Sequence, residues 1–282
     1  MKIALATCSK LPEPDADEAL LVGALQAQGA TVRLLAWDGP SSAAAPDELV
    51  VLRSTWNYFE DVERFLGWVE QTGRSTRLFN PASVVRANAR KTYLRQLEAR
   101  GIDIVPTEYV ARSEARSIEE IIVARGWDAV VVKPVVSAGS FLTQRFEAAQ
   151  TAEAQLFLEE LTATRDAMIQ RWMPAVDTHG ERSLVWIDGG LSHAIRKSPR
   201  FTGQVESVSS ELPIAPEERA FAEKVLAPIA KDILYARVDI VRDDDEVLRL
   251  MELELIEPSL FLRQCPRALD RFAQAIARRA RS

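Results

Sequence analysis

The sequence predicts a mixed α/β (α+β) chain: an N-terminal open α/β domain with a mostly parallel sheet, then two α+β subdomains. Three observations carry this. In the first ninety residues, short β-type runs alternate with amphipathic helical stretches, as in crossover-connected parallel strands. Beyond residue 180, β-type runs follow one another directly, with Asp188-Gly189-Gly190 marking a hairpin turn. A chain of 282 residues, 47% hydrophobic and 27% charged, is too long for one small core and too apolar for disorder. The expected units are residues 1–88, 89–166 and 167–282.

Ile3–Thr7 reads as the first strand, and Asp15 or Asp17 as the cap of a helix bearing Leu21, Val22 and Leu25 and ended by Gly29. Thr31–Ala36 and Leu49–Leu52 are further β-type runs, separated by the Pro/Ser/Ala loop 40–46. Val62, Phe65, Leu66 and Val69 keep the helical spacing. The middle block holds a helix over Lys91–Arg100, a strand at Thr107–Val110 and a helix capped by Ser117. It continues with the β-branched strand Ala129–Lys133, a small-residue loop, Thr143–Phe146 and a helix over Ala152–Leu161. The last block opens with Ala167–Arg171 and the hairpin Ser183–Ile187/Leu191–Arg196. A helix from Pro216 to Ile229 then precedes two acidic strands, Leu234–Val241 and Val247–Glu254, joined by Asp243, Asp244 and Asp245. The basic C-terminal helix Leu269–Arg279 reads as a solvated face with its cations near the negative helix end.

Composition narrows the chemistry. Lys plus Arg is 35 against 41 Asp plus Glu, so at −6 the chain is a poor general partner for nucleic acid or anionic membrane. Cys8 and Cys265 cannot form a disulfide framework, and two histidines, His179 and His193, argue against a His-rich metal site or a Ser-His-Asp triad. Neither an export signal nor a membrane span is evident, so a cytoplasmic location is expected. G-x-G-x-x-G and Walker A loops do not occur.

The strongest chemical signal is acidic. Glu252 and Glu254 are two apart on one strand and so share a face, and the Asp243–Asp245 turn pairs that strand with the one carrying Asp239. Three carboxylates on one face repel unless a cation sits among them, and hard oxygens suit Mg²⁺ when phosphates supply the other ligands; a solvated acidic face is the alternative. Lys133 ends a rigid strand where its point charge suits a phosphate oxygen. Ser137, Ala138, Gly139 and Ser140 are small enough for backbone N–H groups to approach phosphates; taken singly, such a lysine is more often a solvated strand end and such a loop more often a turn. Gln170, Arg171, Trp172 and Met173 either offer hydrogen bonds and apolar walls to a planar base or simply fill core.

In combination, Lys91, Lys133-Pro134, the small-residue loop, Gln170-x-Trp-Met-Pro-Ala, Gly180-Glu181, Asp188-Gly189, Arg196, Asp239, Glu252-x-Glu254 and Pro258-Ser259 fall in an order that resembles the ATP-grasp superfamily. Gln170–Gly190 and Glu252–Ser259 look most like bacterial glutathione synthetase and its ribosomal-protein-modifying relatives. A narrower set is similar to the branch containing the O-ureido-D-serine cyclo-ligase of D-cycloserine biosynthesis. It comprises Arg53-Ser54-Thr55-Trp56-Asn57-Tyr58, Asn80-Pro81, the segment 132–139 and the run from Met251 to Phe261.

The resemblance implies two subdomains clamping ATP and a carboxylate–amine ligase working through an acyl phosphate. Lys91 and Lys133 would contact phosphates, Ser137–Ser140 would cover them, Gln170–Met173 would line the adenine pocket and Glu181 would accept from the ribose. Asp239, Glu252 and Glu254 would hold one or two Mg²⁺ ions, with Mn²⁺ as a substitute. Arg196, assisted by Lys197 or Arg237, would stabilise the carboxylate or the phosphoryl group in flight. Two departures stand out: Ser183 replaces a phosphate-binding Arg, and Glu254 replaces the commoner Asn. On the substrate side, Arg53, Ser54, Thr55, Trp56, Asn57 and Ser259 are candidates. Arg53 is either a bidentate carboxylate clamp or a surface Arg paired with Glu60 or Asp61. The partners expected are a small carboxylate and an amine-type nucleophile, intramolecular or separate, in a monomer or homodimer. A nucleotide-binding protein without turnover is the rival of a different class.

Overall fold

The computed structural model describes residues 1–198 and 207–281. Strands β1 (Lys2–Thr7), β2 (Thr31–Ala36), β3 (Glu48–Ser54) and β4 (Arg77–Phe79) form an all-parallel sheet in the order β2-β1-β3-β4. β3 is buried along its whole length, as a strand covered on both faces must be. Helices α1 (Glu18–Ala27), α2 (Val62–Ser75) and α3 (Ala82–Asn88) accompany this sheet. Phe65, Leu66 and Val69 of α2 close one face over Val50 and Leu52. Asp17 stands at the start of α1 but does not cap it: its carboxylate accepts the backbone N–H groups of Leu262 and Arg263, both at 3.1 Å.

The central unit contains α4 (Tyr93–Ala99), β5 (Thr107–Val110), α5 (Ile118–Arg125), β6 (Ala129–Pro134), β7 (Gln144–Glu147), α6 (Thr151–Thr162) and β8 (Ala167–Arg171). Its antiparallel sheet runs β5-β8-β6-β7, with α5 and α6 packed on Val130, Val132 and Ile169. Ser117 caps α5 by accepting from Glu120 N–H, as its position predicts. The expected start of the last block at Ala167 gives way here, because β8 is hydrogen-bonded between β5 and β6 inside the central sheet.

The last unit holds α7 (Ala175–Thr178), β9 (Glu181–Ile187), β10 (Gly190–Lys197), α8 (Pro216–Leu226), β11 (Tyr235–Arg242), β12 (Leu248–Glu254) and α9 (Pro266–Arg281). Its antiparallel sheet has the order β10-β9-β11-β12. α4 and α8 share its core on one side through Leu94, Leu97, Val225 and Leu226. On the other, Val185, Ile187, Ile195 and Tyr235 meet Ile3, Leu5, Leu49 and Val51 of the first sheet. α9 is therefore not a solvated face. Ala268, Phe272, Ala273 and Ile276 are buried in the same core, the helix packs beside α1, and Arg278 and Arg279 both pair with Asp188.

Candidate active site

A cleft of about 640 Å³ opens where the three units meet. Trp56, Asn57 and Phe59 contribute from the first unit, Lys91, Lys133 and 137–141 from the middle, and Glu181, Lys197, Arg237, Glu252, Glu254, Glu257 and Ser259 from the last. A larger, shallower depression between α5 and α6 gathers no comparable set of opposed charges.

Strand register explains the convergence. Residues directly opposite in neighbouring strands share a face, as do residues two apart. Lys197 lies opposite Glu181, Ser183 opposite Asp239, Asp239 opposite Glu252, and Arg237 opposite Glu254. These seven side chains therefore occupy one face of the sheet. Arg196, one residue earlier, is exposed, lies across Gly180 and is not part of the cleft wall. The strand's period of two thus leaves Lys197, rather than Arg196, in the cleft. Gly180 itself is obligatory: its φ is +73°, and a Cβ would sit 2.7 Å from the Lys197 carbonyl oxygen.

The carboxylates are already neutralised by protein cations. Arg237 donates to both oxygens of Asp239 at 2.8–3.1 Å and also pairs with Glu254. Asp239 further accepts from Ser183 Oγ at 2.5 Å and from Lys197 Nζ at 3.4 Å. Lys197 bonds Glu181 at 2.5 Å, and Lys91 pairs with Glu252. Asp239, Glu252 and Glu254 thus share a face as expected, but among the described residues no three acidic, His or Cys side chains converge as a ready-made metal cage. Burial opposes ionisation of Asp239, yet Arg237 and Lys197 outweigh it and hold the carboxyl well below its ordinary range. The same contest at Glu252 is won by Lys91 and Lys133. Burial pushes Glu254 up to about 7 against the opposing pull of Arg237.

Lys133 differs from the other cations. It lines the cleft but its ammonium forms no hydrogen bond or ion pair with the described residues, and burial lowers its pKa, Glu252 opposing. Beside it, 137–140 form a turn in which Gly139 and Ser140 have φ near +60°. Phe141 at the end of this loop reaches across to Phe59, ring centroids 4.4 Å apart. On the far wall Trp172 and Met173 are buried with Val105 and Val176, and Arg145 lies 4.3 Å over the Trp172 ring. Gln170 donates to Thr107 at 3.0 Å, and Arg171 turns outward to Asp244.

The substrate-side candidates divide. Trp56, Asn57 and Ser259 line the cleft. Arg53, Ser54 and Thr55 do not: they are at most 3% exposed and lie beneath it. Arg53 packs 5.7 Å from the Tyr235 and Phe272 rings, so it is neither a cleft clamp nor a surface partner of Glu60 or Asp61. The reason is that β3 is a central strand, and the chain emerges into the cleft only at Trp56. Sequence reasoning took in Asn80 and Glu257 only within segments of the resemblance, gave them no role, and did not single out Phe59, Phe141 or Asn88; the two asparagines tie the units together. Asn80 and Asn88 hydrogen-bond the backbone of Leu234, Tyr235, Leu253 and Leu255.

Comparison with known proteins supports this architecture over its full length. A model of the family described as D-cycloserine synthetase DcsG, N-terminal domain, matches residues 3–80. The cycloserine biosynthesis protein DcsG of Streptomyces lavendulae is 32% identical over 293 residues, covering 98% of each chain. The crystal structure of D-cycloserine synthetase DcsG superposes with a TM-score of 0.87 at 30% identity, covering 99% of this chain and 100% of that one. At lower identity, the fold is shared with the ATP-grasp ligase PsnB, whose complex holds a minimal precursor, Mg and ADP (TM-score 0.65, 16% identity, 99% and 98% covered). It is shared too with the D-alanine–D-alanine ligase of Bacillus anthracis in complex with ATP (TM-score 0.69, 18% identity, 99% and 97% covered). With one cleft assembled from all three units and a relative matching end to end, the chain belongs to the ATP-grasp ligase family that includes the D-cycloserine synthetase DcsG.

Proposed function

We propose that this ligase uses ATP and Mg²⁺ to activate a carboxylate as an acyl phosphate. The activated carbon is then captured by a nitrogen of the same molecule, turning O-ureido-D-serine into D-cycloserine. The observation that carries the phosphoryl-transfer part is the charge order of the cleft: Lys133, unpaired among the described residues, lies with three cations, Lys91, Lys197 and Arg237, each already set against a carboxylate. The intramolecular part rests on whole-chain similarity to DcsG.

The donor set fits a hard divalent ion. Glu252 and Glu254 present carboxylates to the cleft, with Asp239 behind them on the same face. Each is paired with Lys91 or Arg237, so a bare ion would have to displace a cation. A metal–nucleotide complex would remove that conflict: Glu252, Glu254 and Asp239 would hold the ion while Lys91, Lys133 and Arg237 would meet phosphate oxygens. When bound, the ion neutralises charge on the transferring phosphoryl group.

This chain's own residues do the rest. Lys133 and Lys91 hold the triphosphate, and 137–141 cover it so that water does not hydrolyse the acyl phosphate. Trp172 and Met173 give the base an apolar wall. Lys197 and Arg237, locked by Asp239, face the phosphoryl oxygens as charge builds. The acid oxygen attacks the γ-phosphorus and ADP leaves. The substrate's N–O nitrogen then attacks the acyl carbon and phosphate leaves, closing an amide ring. Water afterwards removes the carbamoyl group as carbamic acid.

Purified protein with ATP, Mg²⁺ and O-ureido-D-serine is expected to release phosphate and cycloserine in equal amounts. Phosphate release unchanged by that acid would reject the substrate assignment, and dependence on a second, separate amine would make the enzyme an intermolecular ligase.

A further inference from the structure

Glu257 has no role in the scheme above, yet it is 8% exposed, lines the cleft and forms no hydrogen bond or ion pair with the described residues through its carboxylate. Its backbone is clamped. The Trp56 indole N–H donates to the Glu257 carbonyl at 3.0 Å, the Tyr235 hydroxyl donates to the preceding Ile256 carbonyl at 2.7 Å, and Pro258 follows. The backbone from which the carboxylate projects into the cleft is therefore held in place. Burying an acid with no cation is costly. Burial, with Glu254 and Glu252 adding to it, pushes the Glu257 carboxyl up to about 8 against Lys91 and Arg237.

Charge matching indicates what it awaits. In the proposed reaction, the phosphates and the substrate carboxylate engage Lys91, Lys133, Lys197 and Arg237, while Glu252 and Glu254 face the metal. Those ligands bring no cation for Glu257. The one positive group left in an amino-acid substrate is its own ammonium. We propose that Glu257 is a specificity residue that receives the free ammonium group of the substrate beside Trp56 and Ser259, restricting the ligase to acids that carry an amine next to the activated carboxylate. This rests on the ligase reading above and adds the class of acid.

The test compares phosphate release with O-ureido-D-serine and with its des-amino counterpart, 3-(ureidooxy)propanoate, in wild type, Glu257→Gln and Glu257→Asp. Wild type is expected to prefer the amino substrate by about 30-fold or more in kcat/KM, the scale of a buried charged hydrogen bond. Glu257→Gln is expected to raise KM for the amino substrate about tenfold or more with kcat changed much less, and to bring the preference close to one. The KM for ATP and the Mg²⁺ dependence should stay as in wild type, and Glu257→Asp should restore part of the discrimination. A Gln variant that discriminates like wild type overturns the assignment while leaving the ligase reading intact. A changed Mg²⁺ dependence with unchanged discrimination would make Glu257 a metal ligand and overturn it equally. Absence of wild-type turnover overturns both readings.

Discussion

Asn80 offers the sharpest test of how the units are held together. It is fully buried, and its amide makes three hydrogen bonds to backbone: it donates to the carbonyls of Tyr235 (2.9 Å) and Leu255 (2.7 Å) and accepts Leu234 N–H (2.8 Å). One side chain after β4 therefore fixes the start of β11 and the end of β12, the strands bearing Arg237 and Glu254. Asn80→Ala leaves those three groups without a partner. At roughly 1–3 kcal/mol for each buried unsatisfied group, and with some relief from an entering water, the loss is about 3–5 kcal/mol. That is a large share of the ~5–15 kcal/mol by which a folded domain typically exceeds its unfolded state. Urea titration followed by tryptophan fluorescence would move its midpoint down by about 1–2 M for a slope of ~3 kcal/mol/M. Asn80→Asp should be at least as damaging, because it keeps the acceptor but sets a carboxylate against two carbonyls. A loss below about 1 kcal/mol for the alanine variant would refute the clamp.

Three shorter predictions follow from the same geometry. Lys133→Ala should lower phosphate release about 10²–10³-fold with unchanged thermal stability, the usual scale for one group aimed at developing charge; activity within threefold of wild type would remove this lysine from the phosphate site. Phe141→Ala deletes the ring contact with Phe59, worth about 0.5–1.5 kcal/mol, so phosphate released without product should rise roughly two- to tenfold; an unchanged ratio of phosphate to product would show that the contact does not seal the cleft. Burial raises the Asp188 carboxyl, but Arg279 and Arg278 outweigh it, so the net shift is downward and its stabilisation is present above the ordinary carboxylate range and lost on acidification. Asp188→Asn, which keeps the left-handed turn, should cost about 1 kcal/mol at pH 7 and progressively less below about pH 4; a penalty independent of pH would contradict the ion pair.

Much of this was legible in the sequence because local and tertiary signals agree. Ala167–Arg171 was read to the residue, and the Asp188-Gly189 turn was placed correctly. The pairing of the two acidic strands across the Asp243–Asp245 turn also held, but a register shift between Asp239 and Ile240, invisible in the sequence, is what sets Asp239 opposite Glu252 instead of Met251. What escaped notice has physical causes. β4 has three residues and α3 seven, too few for a period to show. α9 is visibly amphipathic, but its buried face is mainly alanine beside Phe272 and Ile276, and the conspicuous arginines favoured the reading of a solvated face. Arg53 looked like a cleft residue because it follows an apolar run, but Tyr235 and Phe272, distant in sequence, cover it. No local pattern reports which sheet a strand such as β8 will join.

The choice between Arg196 and Lys197 shows how far period-two reasoning can be carried. Cross-strand partners share a face, so choosing one acidic residue as cleft-facing decides the positions paired with it as far as the register shifts between Asp239 and Ile240 and between Leu191 and His193. Taking Asp239 as cleft-facing makes Ser183 and Glu252 cleft-facing, then Glu181, Arg237 and Glu254, then Lys197, and turns Arg196 away. Ser183, where relatives of the glutathione-synthetase type carry a cation, gains meaning in that frame. Its hydroxyl bonds Asp239 rather than a phosphate, and Lys197 and Arg237 supply the positive charge from either side. The second departure, Glu254, is balanced in the same way, because its extra negative charge is taken by Arg237. The two substitutions are thus linked through one guanidinium. Replacing Glu254 with Asn would leave Asp239 as the one ion-pair partner of Arg237 among the described residues and restore the charge count of the commoner pattern.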